Sequence, residues 1–191
     1  MKKEYLNIPN ALSLSRIVCL PFLVIFILLD MKIAFLFGYI IVGSTDMFDG
    51  WVARKFNMKT EIGKKLDSFA DIFFYVSTAW FVSQLYPEYL KPNTYLLIVF
   101  FTLFILSFII SGIRCKKPIM MHTFLLKLNA VLVYFLVIIS SFADTTYFIS
   151  SILIIYLIGF TEEIVIFIRY GEVDPDTVSL FHLRDKSSEI L

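Results

Sequence analysis

The chain has 191 residues, 59% of them hydrophobic and 17% charged, and its mean hydropathy of +0.81 excludes an ordinary soluble domain. The net charge of +1 conceals a segregation of charge into clusters between apolar runs, and no nucleic-acid partner is expected. The two cysteines, Cys19 and Cys115, are too few for a disulfide framework and lack metal-site spacing, so both are read as thiols within apolar surroundings.

Residues 1–11 (MKKEYLNIPNA) are polar and form a short juxtamembrane segment, with Pro9 expected to halt any helix that begins earlier. Lys2 and Lys3 ahead of an apolar run suggest a signal peptide. Arg16 interrupts that run, however, and no small-x-small cleavage site follows, so an uncleaved span is expected over Leu12–Leu29 with Pro21 as a candidate kink. The next run, Ile33 to Phe56, is 24 residues, or about 36 Å of helix, enough to cross the hydrocarbon and project its last turns into the interface. Lys55 to Ile62 reads as a turn, and Gly63 opens a third span ending near Tyr86, before Pro87. Tyr95–Ile113, Thr123–Phe142 and Tyr147–Ile168 complete an all-α, polytopic membrane protein of six transmembrane helices. One membrane domain over residues 1–170 is expected, followed by a polar tail over 171–191.

Loop charge gives the orientation. With six spans, 15 of the 17 basic residues lie on one side, leaving only Lys32 and Lys91 on the other. The positive-inside rule then puts both termini in the cytoplasm.

Against this apolar background one stretch stands out, DMFDGWVARKFNMKTEIGKKLDSFAD from Asp46 to Asp71. Asp46 and Asp49 are spaced i, i+3, and Asp67 and Asp71 i, i+4, so each pair shares one helix face. If the two helices pack side by side, all four carboxylates converge. Carboxylates near a bilayer need a partner that offsets their desolvation: an internal salt-bridge network, a transported ion or a bound divalent metal. Metal fits best, since hard cations such as magnesium take oxygen ligands and keep positions open for phosphate. Gly50, Ala53 and Arg54 extend the stripe of Asp46 and Asp49. Two small positions leave room for a ligand to approach the backbone, and the arginine can fork onto a phosphate. Small residues also mediate helix–helix contact in membranes, but beside four aspartates and an arginine a ligand slot is the better reading.

The pattern D-x2-D-G-x2-A-R-x8-G-x3-D-x3-D resembles the signature of the CDP-alcohol phosphatidyltransferase family. Its eight fixed positions are Asp46, Asp49, Gly50, Ala53, Arg54, Gly63, Asp67 and Asp71. The opening NIPNALSLSR with Pro21 is similar to the start of bacterial members that make phosphatidylglycerophosphate or related lipids. The resemblance implies that Asp46, Asp49 and Asp67 are ligands of two divalent ions, magnesium or manganese. Asp71 would complete the second site and act as general base. It further implies that Gly50, Ala53, Arg54, Thr60 and Gly63 contact the CDP part of a lipid donor, and that Asn10 and Ser13 line the same pocket. The implied reaction is attack of an alcohol on the lipid-side phosphorus of a CDP-activated lipid with release of CMP, by an enzyme of a prokaryotic cell membrane whose active site faces the cytoplasm. A homodimer is expected from the resemblance alone.

The acceptor is less legible. Arg114, Lys116, Lys117, His122 and Lys127 form a basic group that suits the phosphate of glycerol 3-phosphate or inositol phosphate, with Arg114, Lys117 and Lys127 the candidate contacts. Ordinary positive-inside charge explains the same residues. LDSFAD at 66–71 departs from the LDPLADK form of phosphatidylglycerophosphate synthases and is similar to the LDSLAD form of the phosphatidylserine branch. Glycerol 3-phosphate is the first expectation, with serine, inositol phosphate or another alcohol as alternatives. A cation-coupled transporter is the rival from another class. It predicts carboxylates near the bilayer midplane on broken helices, whereas these lie toward a charged helix end.

Overall fold

The computed structural model describes residues 8–56, 60–116, 121, 123–171, 173 and 179–180. They form six long helices and no strand: α1 (Ile8–Leu28), α2 (Lys32–Lys55), α3 (Glu61–Leu85), α4 (Thr94–Cys115), α5 (Phe124–Ser140) and α6 (Thr146–Tyr170). One helical turn (Pro87–Leu90) and a 3-10 turn (Lys91–Asn93) lead into α4. Three segments are long and apolar enough to cross a membrane by length and composition, namely Ile8–Leu28, Pro87–Cys115 and Thr146–Tyr170. The helix expected from Leu12 is already formed at Ile8, the first described residue, and includes Pro9. In the first unit below, Ile33, Ile41 and Val76 are exposed, and Asn10, Ser13, Arg16 and Thr78 are buried beside apolar side chains such as Leu23, Phe35 and Phe81, a distribution that suits an apolar surrounding.

The chain divides into two compact units, Met1–Pro87 with Val137–Ala143, and Glu88–Leu136 with Asp144–Leu191. In the first, α1 packs on both α2 and α3. The packing stripe of α2 is Phe35, Tyr39, Val42, Asp46 and Asp49, advancing by three or four residues along one face. On α3 the corresponding stripe is Asp67, Asp71, Phe74, Thr78 and Phe81. The aromatic halves interlock: the Tyr39 and Phe74 rings are 5.3 Å apart and those of Phe35 and Phe81 5.2 Å apart edge-on, while Tyr39 and Thr78 share a hydroxyl–hydroxyl bond of 3.3 Å. Gly38 permits close approach of α1, since a Cβ there would meet Leu23 Cδ2 at 2.8 Å. An aromatic zipper thus fixes the register of α2 and α3, and the aspartates on the same stripes are brought together as a consequence.

In the second unit α4 packs along α6. Buried Asn93 ties their starts, donating to the carbonyls of Tyr89 (3.1 Å) and Thr146 (2.9 Å) and accepting from the Ser150 hydroxyl (2.6 Å). Phe100, Phe104, Tyr156 and Phe160 fill the seam. Near the other end, Glu163 accepts from Ser107 Oγ and from the Met121 backbone N–H, both at 2.8 Å, and Arg114 donates to the Ile168 carbonyl at 2.6 Å. Of the expected tail, Leu180 donates its N–H to Glu162 (2.8 Å), and Val173 and Leu180 pack on a core of Cys115, Met121, Ile166 and Phe167.

Candidate active site

The polar ends of the three stripes in the first unit meet. On α1 Asn10, Ser13 and Arg16 are three residues apart and all buried. The carboxylates of Asp46, Asp49 and Asp67 each offer an oxygen, and these atoms lie within 4.8 Å of one another. Asp49 forms the floor, its side chain 4% exposed, while Asp46, Asp67 and Asp71 stay 43%, 41% and 36% exposed at the rim. Ser13 Oγ donates to Asp49 Oδ2 at 3.1 Å and also approaches the Pro9 carbonyl, at 3.2 Å.

Arg16 is the residue that sequence reasoning passed over. Treated there only as an interruption of an apolar run, it is 1% exposed and reaches all four aspartates. Its Nη2 is 2.8 Å from Asp49 Oδ2, 3.1 Å from Asp46 Oδ1 and 3.7 Å from Asp67 Oδ1. Its Nη1 pairs with Asp71 Oδ1, and Nε faces Thr45 Oγ1 at 3.5 Å. A signal was available: a charge inside an apolar helix needs a partner, and Arg16 shares the face of Asn10 and Ser13. Among the described side chains one guanidinium stands against four carboxylates, a formal excess of three negative charges. The internal salt bridge therefore exists, and by itself it does not neutralise these four groups. The remaining donor set, all hard oxygens and mostly open to the outside, fits a divalent cation of the magnesium or manganese type.

The neighbouring positions gather on the same unit. Thr60 is the N-cap of α3, extended in backbone, with Oγ1 accepting the Gly63 N–H at 2.9 Å. At Gly63 an added Cβ would stand 2.5 Å from Asn10 Oδ1 and 2.9 Å from Thr60 Oγ1, so only glycine allows α1 and α3 this contact. Gly50, Ala53 and Arg54 lie on α2 at the expected offsets from Asp46 and Asp49, but their side chains are outside those described. Arg114, in the last turn of α4, donates to a carbonyl of α6, and Lys127 lies in the first turns of α5. Lys117 and His122 lie outside the described residues.

Long apolar helices and an open carboxylate cluster at their polar ends define an integral membrane protein with a candidate divalent-cation site. Residues 6–167 match the family model for CDP-alcohol phosphatidyltransferase, and the chain belongs to that family. Among its relatives, a Rickettsia bellii protein named CDP-diacylglycerol--glycerol-3-phosphate 3-phosphatidyltransferase is 37% identical over 68 residues, 34% of this chain and 38% of that protein. Similarly named proteins of Aquifex aeolicus and Bacillus subtilis are 35% identical over 97 residues (49% of this chain, 53% of that protein) and 36% over 80 residues (34% and 42%). The chain thus spans only 38% of the length of the first of these relatives.

Proposed function

We propose that this chain is a transferase of substituted phosphate groups that moves a phosphatidyl group from CDP-diacylglycerol to glycerol 3-phosphate and releases CMP. The observation that carries the reading is the meeting of Asp46, Asp49 and Asp67 within 4.8 Å, at positions where the matched family has its signature. The acceptor rests on the names of the relatives, with serine, inositol phosphate or another alcohol as the alternative.

Asp46, Asp49 and Asp67 would hold magnesium or manganese, with Asp71 completing a second site of a two-ion centre. Bound there, the ions would supply positive charge against the diphosphate and the oxygens that attack and leave. In the transfer itself the acceptor hydroxyl oxygen forms a bond to the phosphatidyl phosphorus and the bond from that phosphorus to the CMP oxygen breaks. The hydroxyl proton passes to Asp71, which as a rim carboxylate is reached from outside. Arg54 forks onto the donor diphosphate, and Gly50 and Ala53 leave room for the nucleotide. Asn10, Ser13, Thr60 and Gly63 shape the wall of the CDP pocket. Arg114, Lys117 and Lys127 take the acceptor phosphate, for which positive charge is the supporting argument. A raised KM for glycerol 3-phosphate in Lys127→Ala, with an unchanged KM for the lipid donor, is the expected sign of that role.

The same reading includes six spans, a single catalytic domain over residues 1–170 and a prokaryotic cell membrane. The active site and both termini would be cytoplasmic, supported by 15 of 17 basic residues falling on that side of a six-span layout. A homodimer belongs to the reading as well. The test is CMP release by the purified protein from CDP-diacylglycerol with a panel of alcohols. Release is expected to need magnesium or manganese, to stop with chelator and to be fastest with glycerol 3-phosphate. A preference for another alcohol would change the product, and no CMP with any acceptor would sink the reading.

A further inference from the structure

The position of one nitrogen atom carries a further step. Arg16 Nη2 lies 2.8 and 3.1 Å from oxygens of Asp49 and Asp46 and 3.7 Å from an oxygen of Asp67. Those are the same three carboxylates that draw together within 4.8 Å as a candidate metal cradle. The guanidinium tip and a divalent cation would therefore compete for the same lone pairs. We propose that Arg16 is a resident counter-cation, which holds the three acidic helix ends together until divalent metal displaces its Nη2 arm. This inference rests on the metal-binding part of the function proposed above.

Three features fit exchange rather than permanent neutralisation. The guanidinium is anchored on its other side, with Nη1 on Asp71 and Nε facing Thr45, so giving up the Nη2 contacts does not require expelling the side chain. Arg16 is 1% exposed, and a guanidinium so placed needs an oxygen acceptor; its Nη1 keeps Asp71 as partner when the Nη2 contacts are given up. The planar fork lets one side chain bridge α1 to aspartates on both α2 and α3, which the single ammonium of a lysine reproduces poorly. Arg16 is thus a positioning residue with a defined competitor.

The proposal differs in sign from a purely structural role. If Arg16 only builds the site, its loss weakens metal binding and stability together. If it competes with metal, its loss lowers metal-free stability while tightening metal binding, because the positive charge that occupied the same carboxylate oxygens is gone. The experiment uses the full chain in detergent with manganese alone as ligand. Free Mn2+ is followed by electron paramagnetic resonance, and melting is followed in chelator and in saturating Mn2+. Arg16→Gln is expected to bind Mn2+ about tenfold more tightly than the wild type, the fold-change that removal of one nearby like charge gives when largely screened. It is also expected to show a wider gap between its two melting temperatures. Arg16→Lys, which retains the charge, is expected to bind Mn2+ within about threefold of wild type.

Equal or weaker Mn2+ binding by Arg16→Gln overturns the proposal. If that variant folds only with metal present, it is purified in Mn2+ and chased with chelator. Slower release than wild type supports exchange, and equal or faster release refutes it. CMP release by the same wild-type preparation separates the two readings. An active wild type with no gain of affinity in Arg16→Gln removes the exchange alone. A gain of affinity in a protein that releases no CMP removes the enzymatic reading alone.

Discussion

Two acidic centres of this protein, each with one deeply buried carboxylate, are built on opposite terms. Glu163, on α6, is 3% exposed and spends its two carboxylate oxygens on neutral donors, the Ser107 hydroxyl and the Met121 N–H. The aspartate centre shares one guanidinium among four carboxylates and leaves three of them more than a third exposed. A carboxylate whose lone pairs are taken by short neutral bonds clamps chain segments together. A set with excess charge and open rims has capacity left for a ligand. Burial alone does not distinguish them, since Asp49 is as deeply placed as Glu163; the number and charge of the partners does.

The largest effect expected from this contrast is on turnover. Asp71→Asn should lower CMP release by about a thousandfold while largely sparing metal-dependent CDP binding, checked by single-turnover assay beside nucleotide titration. Asp49→Asn should lose both, because the floor carboxylate belongs to the three-oxygen group and Asp71 does not. Wild-type turnover in Asp71→Asn would take the proton-accepting role away from that residue. Glu163→Ala should instead cost stability, about 2–4 kcal/mol, since it leaves two buried donors unmatched, with Mn2+ affinity unchanged. A shift in Mn2+ affinity without a fall in melting temperature would erase the distinction between clamp and site.

How much of this was legible in the sequence depends on whether the partner was local. The aspartate spacings and Gly63 were readable because helix periodicity alone puts each on a definite face, whereas Thr60, in the expected turn, was marked only by the family resemblance. The convergence of α2 and α3 was conditional on their packing. What secures it is the aromatic stripe of Phe35, Tyr39, Phe74 and Phe81, which reads in sequence as generic hydrophobicity. Arg16 and Glu163 were harder for a physical reason. Their partners lie 30 to 55 and 42 to 56 positions away respectively, and no local pattern encodes such pairings. The reach of α1 to Ile8 was not legible, because Pro9 reads as a breaker in sequence although the described helix includes it.

The contrast can be sharpened at Gly63, where backbone packing supports the acidic centre from behind. Gly63→Ala places a methyl 2.5 Å from the buried Asn10 amide oxygen and 2.9 Å from the Thr60 hydroxyl. The expected cost is about 1–3 kcal/mol, together with a raised KM for the lipid donor as α1 is pushed from α3. Gly159→Ala in the second unit is the matched control. Its Cβ would meet Leu126 Cδ2 at 3.1 Å, a flexible apolar end that can yield, so the melting temperature should move less and the donor KM not at all. Equal donor KM values for the two variants would mean that Gly63 is packing and nothing more.

The smallest effect is the most discriminating for Thr60, which has a structural role in hand and a substrate role only by family resemblance. Its hydroxyl caps α3 by accepting the Gly63 N–H, so Thr60→Ala should cost about 1 kcal/mol. Asparagine is an equally good N-cap but carries no hydroxyl. Thr60→Asn should therefore keep the wild-type melting temperature, and the donor KM then reports on the substrate role alone. A severalfold rise is the outcome expected if the hydroxyl also meets the nucleotide. An unchanged KM would confine Thr60 to holding the first turn of the helix that carries Asp67 and Asp71, an indirect service to the same centre.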